Sequence, residues 1–584
     1  MSVRATLTIS ITTALILVLA PVHSGAQVAS ACGGTGGGDS KVTESGPYEI
    51  GQTEAVELES ELDGGIIQIG VVRPDVPEGT RVPVIVDAGS YFYADLMDAD
   101  LPTCNPFLIE NFVQHGYAVA FIPTRGAGGT DRCSDLMGDR ERGDLSQAVT
   151  WLGEQEWSNG NVGMTGISYH GSTPWEVASL GNPHLKTIVP ASGVIDMYSQ
   201  NYRSGRADSR WWLFVPGYQW YYNTAFTNPS SGRDPLRWGG AAVCETAIEG
   251  MAATVESYVT GEDDSFDYWK DRNSKPGTEK KYRGSVFLVG GWDDHNVTIS
   301  QAVPWINELK RKRVYVKMLL GQWPHAWPDS GGNAEGTLRW DYADTLLGWF
   351  DHWLKGEAGE LGPPVEVQDN TGSWRTEESW PPKHADHTKL YLTSTGSLGA
   401  PGKEPTQSTT LTPGLRSRYV YVTDNPQSSE TPADPYCAGC ATFSTDPQTE
   451  DLKIAGIPSV DITVIPHGPG GSVTAYMYSA DESEPWELLG YGGVDLRFPK
   501  SGHKARTVTP GKEMKIELDF EPLDAVVQKG KRLVLVFDQG NKNDMAGPLG
   551  LFPVDLVYGA KTSSFTFPVV TPDASTYFNP PAAP

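Results

Sequence analysis

The sequence predicts an α/β core with an inserted helical cap, followed by an all-β domain. Short β-branched runs alternate with segments of helical periodicity in the first part of the chain, which is typical of a mostly parallel sheet. This alternation lapses between about residues 196 and 283. After about residue 362, short alternating runs separated by Pro, Gly, Ser and Thr replace it. A chain of 584 residues exceeds one ordinary core, so two or three domains are expected.

The first 26 residues have the layout of an export signal. Arg4 supplies a positive start, residues 14–20 form an apolar stretch, and residues 24–26 are small. We therefore expect a secreted protein, with residues 27–48 as a Gly-rich linker. Cys32 lies in a weak lipobox match, but it is too far past the apolar stretch for us to expect an acyl anchor there.

The predicted core comprises residues 49–195 and 284–358. The cap comprises residues 196–283, and the all-β domain comprises residues 362–584, most simply as a sandwich or jelly roll. The core strands are predicted at 66–72, 82–87, 117–122, 162–165, 185–190, 285–290 and 314–320. Helices are predicted at 144–152, 242–259, 300–309 and 342–354.

A central serine lies between a predicted strand and a predicted helix in the sequence NVGMTGISYHGSTPWE, residues 161–176. This is the layout of a nucleophile elbow, in which a sharp turn lifts the Ser168 hydroxyl clear of the sheet. The amide of Tyr169 can then help to bind an oxyanion, and Pro174 suits the first helical turn. The general motif is G-x-S-x-G, but here His170 occupies the second position after the serine. An ordinary surface turn also explains a Gly-flanked serine, so the motif alone does not establish a nucleophile.

Two later strands end in loops that can complete a serine-hydrolase triad. Asp294 and His325 each follow a predicted strand, and the carboxyl ends of parallel strands meet at one edge of the sheet. The Ser168 hydroxyl needs an imidazole to accept its proton, and the imidazole needs a carboxylate to fix its tautomer. The order serine, acid, histidine is the one that α/β-hydrolases use.

Neighbouring residues compete for these roles. Asp293 is an alternative to Asp294, and His170 and His295 are alternatives to His325. His325 is preferred because it lies past a strand, inside a loop of Gly, Pro and Trp residues.

The loop after the strand at 82–87 contains a candidate oxyanion donor. Its sequence AGSYFY, residues 88–93, includes Tyr91, whose hydroxyl can donate together with the Tyr169 amide. Alternatively, the three aromatic residues of this loop only pack beneath the cap.

Charge and cysteine content exclude some functions. A net charge of −27 argues against nucleic acid or an anionic membrane as partner. Six cysteines in an exported chain permit disulfides, and we expect the pairs Cys104–Cys133 and Cys437–Cys440. No second cysteine pair has zinc-ligand spacing, so we expect no metal site and no cofactor.

These motifs resemble those of the bacterial Xaa-Pro dipeptidyl-peptidases and the related cocaine-esterase-like hydrolases. The sequence GISYHG at 166–171 is similar to their G-x-S-Y-x-G elbow, which accounts for the displaced glycine. The similarity covers roughly residues 50–570. Further similar segments are RGAG at 125–128, LKTIV at 185–189, YRSG at 202–205, WKDRN at 269–273, GWDDHNV at 291–297, GIP at 456–458, TPGK at 509–512 and LDFEPLD at 518–524.

The resemblance implies an α/β-hydrolase core, a helical cap and a C-terminal jelly roll. It also implies that Ser168 is the nucleophile, Asp294 the acid and His325 the base. Tyr91 occupies the position of the family's oxyanion tyrosine, although Ser90 replaces the proline that usually precedes it.

The implied activity is release of Xaa-Pro dipeptides from free N-termini through an acyl-enzyme, because residues 185–205 and 294–297 are closer to the dipeptidyl-peptidases. An acylase or carboxylesterase on the same triad is the alternative. A secreted carbohydrate-binding protein is disfavoured by the complete Ser/Asp/His set. The expected partner is a peptide or small acyl substrate, and homo-oligomerisation stays open. Cap acids that could bind a substrate ammonium, none of them assigned, are Glu262, Asp263, Asp264 and Asp267.

Overall fold

The computed structural model describes most of the chain. The expected export signal, the cap acids at 262–264 and Cys437 lie outside the described residues. The described residues are 32, 37–203, 206–208, 245–260, 267–334, 336–359, 361–412, 439–481, 486–499, 505–539, 544–545, 552–571 and 575–582.

The secondary structure alternates between strands and helices in the first part of the chain and consists of strands in the last part. The strands are β1 (Ile50–Glu59), β2 (Ile66–Pro74), β3 (Val82–Gly89), β4 (Ala118–Pro123), β5 (Ser158–Ile167), β6 (Leu185–Ala191), β7 (Tyr202–Arg203), β8 (Arg206–Asp208), β9 (Ser285–Gly291), β10 (Tyr315–Gly321), β11 (Val365–Gln368), β12 (Trp374–Glu377), β13 (Asp386–Leu392), β14 (Leu398–Gly399), β15 (Gln407–Leu411), β16 (Ala441–Ser444), β17 (Leu452–Gly456), β18 (Ser459–Pro466), β19 (Ser472–Ala480), β20 (Glu487–Asp495), β21 (Met514–Asp519), β22 (Leu523–Val527), β23 (Arg532–Asp538), β24 (Asp544–Met545), β25 (Val554–Tyr558), β26 (Ser564–Val569) and β27 (Thr576–Phe578).

The described α-helices all lie between residues 106 and 350. They are α1 (Pro106–Phe112), α2 (Asp139–Glu154), α3 (Tyr169–Leu180), α4 (Met197–Asn201), α5 (Glu245–Thr260), α6 (Asp267–Asp271), α7 (Lys275–Lys281), α8 (Val303–Arg311) and α9 (Tyr342–Phe350). Shorter 3-10 turns lie at Leu101–Thr103, Val113–His115 and Ile299–Gln301, and a π-helical turn lies at Asp351–Lys355.

The core is one sheet of 11 strands in the order β1-β2-β4-β3-β5-β6-β9-β10-β11-β12-β27. The strands from β4 to β11 in this order pair in parallel, and antiparallel strands form both edges. The carboxyl ends of β5, β9 and β10 therefore lie at the same edge of the sheet, which is where α/β folds bind ligands. This arrangement confirms the predicted α/β class.

The sheet is buried on both faces, which explains its continuous apolar runs. In β3, Val84 and Val86 pack in one apolar cluster, whereas Ile85 packs in a second cluster. Successive side chains of a strand point to opposite faces, so the two clusters are the two covered sides of the sheet.

The C-terminal part is mostly β-strands, as predicted. A nine-stranded sheet includes β18 and β21, and a four-stranded sheet has the order β16-β23-β19-β20. Ile462 and Ile516 of the first sheet share an apolar cluster with Met477 and Leu535 of the second. The two sheets therefore enclose a common core, while the jelly-roll connectivity and the domain boundaries stay predictions.

Several helix boundaries differ from the sequence prediction; α2, for example, begins at Asp139 instead of residue 144. Helix α3 begins at Tyr169, directly after the central serine, so Pro174 lies inside the helix rather than in its first turn. Proline has no N–H for the His170 carbonyl oxygen, four residues earlier, and the Thr173 hydroxyl donates to that oxygen instead at 3.2 Å. The predicted helix at 342–354 changes to a π-helical turn from Asp351.

The disulfide prediction Cys104–Cys133 is wrong. Cys104 is bonded to Cys32, with their Cα atoms 4.8 Å apart. The Cys32 carbonyl oxygen accepts hydrogen bonds from the amides of Tyr93 and Ala94, which brings this N-terminal residue onto the loop after β3. Cys133 and Cys440 each take part in a disulfide as well. Spacing along the chain could not reveal the Cys32–Cys104 pair, because a disulfide depends on the distance between Cα atoms in the fold.

The Cys32 thiol is consumed by this bond, so it is not available for an acyl anchor. Within the described part of the chain, no helix has both the length and the apolar character needed to cross a membrane.

Candidate active site

Ser168 occupies a strained turn between β5 and α3. Its backbone angles are φ 62° and ψ −124°, a region that residues with a side chain rarely adopt. Its N–H donates to the Ala191 carbonyl oxygen at 3.0 Å, and its own carbonyl oxygen accepts from the amides of Gly171 and Ser172. These bonds hold the strained residue in place, and the half-buried side chain remains partly accessible.

Two glycines around Ser168 are required by close backbone contacts. A β-carbon on Gly166 would lie 2.5 Å from the His170 carbonyl oxygen. A β-carbon on Gly171 would lie 2.3 Å from the Ala191 carbonyl oxygen. The first contact makes the sharp turn possible, and the second lets α3 pack closely on β6. Here the second glycine is needed three residues after the serine, rather than two as in the general motif.

Tyr91 and Tyr169 converge on Ser168. The Tyr91 hydroxyl lies 2.9 Å from Ser168 Oγ. The Tyr169 amide donates to the same Tyr91 hydroxyl at 3.3 Å. A hydroxyl and an amide beside a serine oxygen form a pair of donors that can bind an oxyanion when a substrate carbonyl is attacked.

Asp294 and His325 form a hydrogen-bonded pair at the same edge of the sheet. Asp294 follows β9, His325 follows β10, and His325 Nδ1 lies 2.8 Å from Asp294 Oδ2. The other carboxylate oxygen accepts from the amides of Asn296 and Val297 at 3.0 and 2.8 Å. The Asp294 side chain is fully buried, and the imidazole is 13% exposed. The loop after β9 thus presents a fixed carboxylate to a histidine that solvent or substrate can reach.

The electrostatics of Asp294 favour its ionised form. Burial alone would raise the pKa of this carboxyl. The charge of His325 and the hydrogen bonds from His325, Ser192 and the Val297 amide more than offset burial and hold the pKa below its usual value. Asp294 is therefore a carboxylate at neutral pH, as an orienting acid must be.

The competing residues lie in different surroundings. Burial of the carboxyl and the charge of Glu487 raise the pKa of Asp293 to about 6, although the residue as a whole is exposed. The His295 ring is 6.3 Å from the ring of Tyr491 in the β domain. His170 is fully buried and pairs with Asp87, so it lies beneath Tyr91 instead of facing a cavity.

Sequence reasoning missed Ser192 as a partner of Asp294. Ser192 follows β6 and has φ 44°, and its side chain hydrogen-bonds the Asp294 carboxyl. Ala191, the residue before it, is in register with Ile167 of β5 and Val289 of β9. The residues directly after β6, which lies between β5 and β9 in the sheet, were therefore candidates for a further polar partner of the site.

A buried acidic pair behind Tyr169 was also missed. The Tyr169 hydroxyl donates to Glu141 of α2, and it accepts from the Met137 amide at 3.1 Å. Burial, and then the charge of Glu141, raises the pKa of Glu176 well above its usual value. Nothing in the local sequence distinguishes Glu141 or Glu176 from solvated helix residues.

The site residues include no set of metal ligands. In the ranges that the structure describes, no group of three or more His, Cys, Asp or Glu side chains could hold a metal ion.

Comparison with known proteins identifies two matching families along the chain. The family described as X-Pro dipeptidyl-peptidase (S15 family) matches residues 63–327. The X-Pro dipeptidyl-peptidase C-terminal non-catalytic domain matches residues 358–545. The first match includes Tyr91, Ser168 and the Asp294–His325 pair.

Individual relatives are similar over most of their length. A protein named "Putative Xaa-Pro dipeptidyl-peptidase" from Bacillus anthracis is 27% identical over 524 residues, which cover 82% of this chain and 81% of the relative. The cocaine esterase of Rhodococcus sp. (strain MB1 Bresler) is 26% identical over 556 residues, which cover 85% and 92%. The crystal structure of a CocE/NonD family hydrolase from Staphylococcus aureus aligns with a TM-score of 0.67 at 17% identity, covering 90% and 94%.

The structural match supports the same fold, and the two family matches together extend over most of the described chain. The chain therefore belongs to the Xaa-Pro dipeptidyl-peptidase and cocaine-esterase-like family of serine hydrolases.

Proposed function

We propose that this protein is an exported serine peptidase that releases Xaa-Pro dipeptides from peptide N-termini through an acyl-enzyme on Ser168. The observation that carries the proposal is the position of the Tyr91 hydroxyl, 2.9 Å from Ser168 Oγ and 3.3 Å from the Tyr169 amide nitrogen. Ser168 Oγ attacks the substrate carbonyl carbon, and the carbonyl oxygen becomes an oxyanion. Tyr91 and Tyr169 then donate to that oxygen.

His325 is the proposed base. Its Nδ1–H donates to the Asp294 carboxylate, which leaves Nε2 as the nitrogen that accepts the Ser168 proton. Nε2 passes this proton to the leaving amine as the carbon–nitrogen bond breaks. A water molecule, deprotonated by the same nitrogen, then attacks the acyl carbon of the acyl-enzyme. The bond from this carbon to Ser168 Oγ breaks, Nε2 returns the proton to Oγ, and the dipeptide is released.

Export is the proposed setting of the reaction. The signal-like first 26 residues and the Cys32–Cys104 disulfide support it, because disulfides persist in oxidising compartments.

The dipeptidyl-peptidase specificity is supported by the match of both the catalytic and the C-terminal family regions. A carboxylesterase or acylase is the second candidate. It is supported by the cocaine esterase relative, of which 92% is covered. Both candidates use the same proposed triad, so only the substrate distinguishes them.

A substrate panel with a nucleophile variant tests both statements. The wild type and Ser168→Ala are assayed on Gly-Pro-4-nitroanilide with a free and a blocked amino terminus, on Gly-Ala-4-nitroanilide and on 4-nitrophenyl acetate. We expect cleavage of the free Gly-Pro amide, weak cleavage of the blocked and Ala amides, and no turnover by Ser168→Ala. Turnover of 4-nitrophenyl acetate alone would favour the carboxylesterase proposal over the peptidase proposal. Unchanged turnover by Ser168→Ala would refute the acyl-enzyme on Ser168.

A further inference from the structure

A second histidine–aspartate pair lies directly beneath the proposed oxyanion site. His170 and Asp87 are both fully buried, and His170 Nδ1 lies 2.5 Å from Asp87 Oδ1. The second ring nitrogen, Nε2, accepts a hydrogen bond from the backbone amide of Tyr91 at 3.1 Å. His170 thus connects the first turn of α3 to the loop that carries Tyr91.

The chemistry of these contacts determines the tautomer of His170. A backbone amide can only donate, so Nε2 must be unprotonated. Nδ1 then carries the proton and donates it to the Asp87 carboxylate. Since both ring nitrogens are engaged and the ring is inaccessible to solvent, His170 cannot exchange protons with a substrate.

The imidazole also holds the aromatic ring of Tyr91. The two rings are stacked, with centroids 4.8 Å apart and an interplanar angle of 10°. A β-carbon on Gly89 would lie 2.0 Å from His170 Cδ2. The ring therefore stacks on Tyr91 and occupies the space that a side chain at Gly89 would need.

The pair is anchored at its far end as well. Asp87 Oδ2 accepts from the Asn105 side-chain amide at 2.9 Å. Asn105 in turn caps α1, because its side-chain oxygen accepts from the Leu108 amide at 3.1 Å. Asp87 is consequently fixed by β3 and by the start of α1, and it offers a rigid partner to the imidazole.

We infer that the buried Asp87–His170 pair is a positioning device for the oxyanion tyrosine. It holds the backbone and the ring of Tyr91, so that the hydroxyl stays 2.9 Å from Ser168 Oγ. His170 is a positioning residue, since it acts through Tyr91 and does not touch the reacting atoms. The role matters because donors to an oxyanion must be held in place before the reaction, and small displacements are costly.

The inference rests on the proposed function of Ser168 and Tyr91, and its test separates the two. Hydrolysis of 4-nitrophenyl acetate is measured for the wild type, His170→Leu, Tyr91→Phe and the double variant. Tyr91→Phe removes the hydroxyl but keeps the ring that stacks on His170. We expect His170→Leu to lower kcat by about 10–100-fold with KM nearly unchanged, because only transition-state contacts are lost. In the Tyr91→Phe background, the same substitution should lower kcat less than about 3-fold.

A transition-state analogue supplies a second readout. A trifluoromethyl ketone adds to the serine and forms an oxyanion, so its affinity should fall with kcat in His170→Leu. His170→Gln, whose side-chain oxygen can still accept from the Tyr91 amide, should recover part of both losses. If His170→Leu does not fold, His170→Gln and Asp87→Asn are each measured with and without Tyr91→Phe in its place.

The controls make each outcome decisive. His184→Gln alters a histidine that bonds the Gly160 carbonyl near the amino end of β5, far from Tyr91, and should retain wild-type kcat. An equal loss of kcat from the His170 substitution with and without the Tyr91 hydroxyl would overturn the inference, as would an unchanged kcat. Activity that survives Ser168→Ala would instead overturn the proposed function, whatever the His170 variants do.

Discussion

Gly291 and Trp323 lie in direct backbone contact, such that a β-carbon on Gly291 would be 2.1 Å from the Trp323 carbonyl oxygen. The same oxygen accepts from the Asp293 amide at 3.2 Å. Gly291 is the last residue of β9, directly before the loop that carries Asp294, and Trp323 belongs to the loop that carries His325. The distance between the acid and the histidine therefore depends on the absence of a side chain at Gly291.

Gly291→Ala should weaken both folding and catalysis. The added methyl group forces the two loops apart, so we expect the free energy of unfolding to fall by about 1–3 kcal/mol. kcat should fall by about 10-fold or more, because Asp294 and His325 lose their alignment. Gly348→Ala in α9 is the matched control, since no atom lies near its added methyl group. Denaturant unfolding and ester hydrolysis measure both effects, and equal behaviour of the two variants would contradict the expectation.

Removing the charge of Asp294 should lower kcat far more than removing the charge of Asp293. Asp294→Asn keeps the shape of the side chain but no longer selects the required tautomer of His325, so kcat should fall by about 1,000- to 10,000-fold. Asp293 is an exposed residue outside the Asp294–His325 hydrogen bond, so Asp293→Asn should leave kcat within about 3-fold. The measurement is kcat for both variants on one substrate. A larger loss in Asp293→Asn would reverse the assignment of the acid.

Glu141 should give the stability of the protein a pH dependence. Burial raises the pKa of Glu141 to about 7, although the hydrogen bond from the Tyr169 hydroxyl by itself lowers this pKa. Between the unfolded value near 4.5 and about 7, the folded state holds a proton that the unfolded state releases. The free energy of unfolding therefore falls as pH rises through this interval, by up to about 1.4 kcal/mol per pH unit.

Glu141→Gln removes this titration and keeps an oxygen that can accept from Tyr169. We expect the variant's free energy of unfolding, relative to wild type, to be about 2 kcal/mol more favourable at pH 8 than at pH 5. Denaturant titrations at the two pH values measure the difference. The exposed Glu154→Gln, on the same helix, should show no such difference between pH 5 and pH 8. A flat result for Glu141→Gln would show that Glu141 titrates similarly in the folded and unfolded states.

The Cys32–Cys104 disulfide should stabilise the protein without contributing to catalysis. It closes a loop across a separation of 72 residues, and its loss should cost about 2–4 kcal/mol in the free energy of unfolding. Cys104→Ser and the double variant with Cys32→Ser should be equally destabilised, because each removes the same bond. kcat at 25 °C should stay within about 2-fold of wild type. Additive losses from the two substitutions would indicate that the cysteines are not paired with each other.

The sequence was sufficient for the elements that depend on local patterns. The apolar runs predicted the strands β2, β3, β5, β9 and β10 to within a few residues. Because parallel strands end at one edge of a sheet, these runs also predicted that Ser168, Asp294 and His325 follow strands that end at the same edge. The start of α3 was mispredicted, because the helix begins directly after the strained serine and tolerates Pro174 through the Thr173 hydroxyl.

The contacts between distant segments were decided only by the tertiary structure. Sequence spacing could not reveal that Cys104 meets Cys32, that Ser192 bonds Asp294, or that His170 and Asp87 form a buried pair under Tyr91. From the sequence, His170 was one of three histidines competing for the same role, and its surroundings alone distinguish it. The physical reason is that strand and helix patterns are set by neighbours along the chain, whereas burial, hydrogen-bond partners and pKa values are set by residues brought together in space.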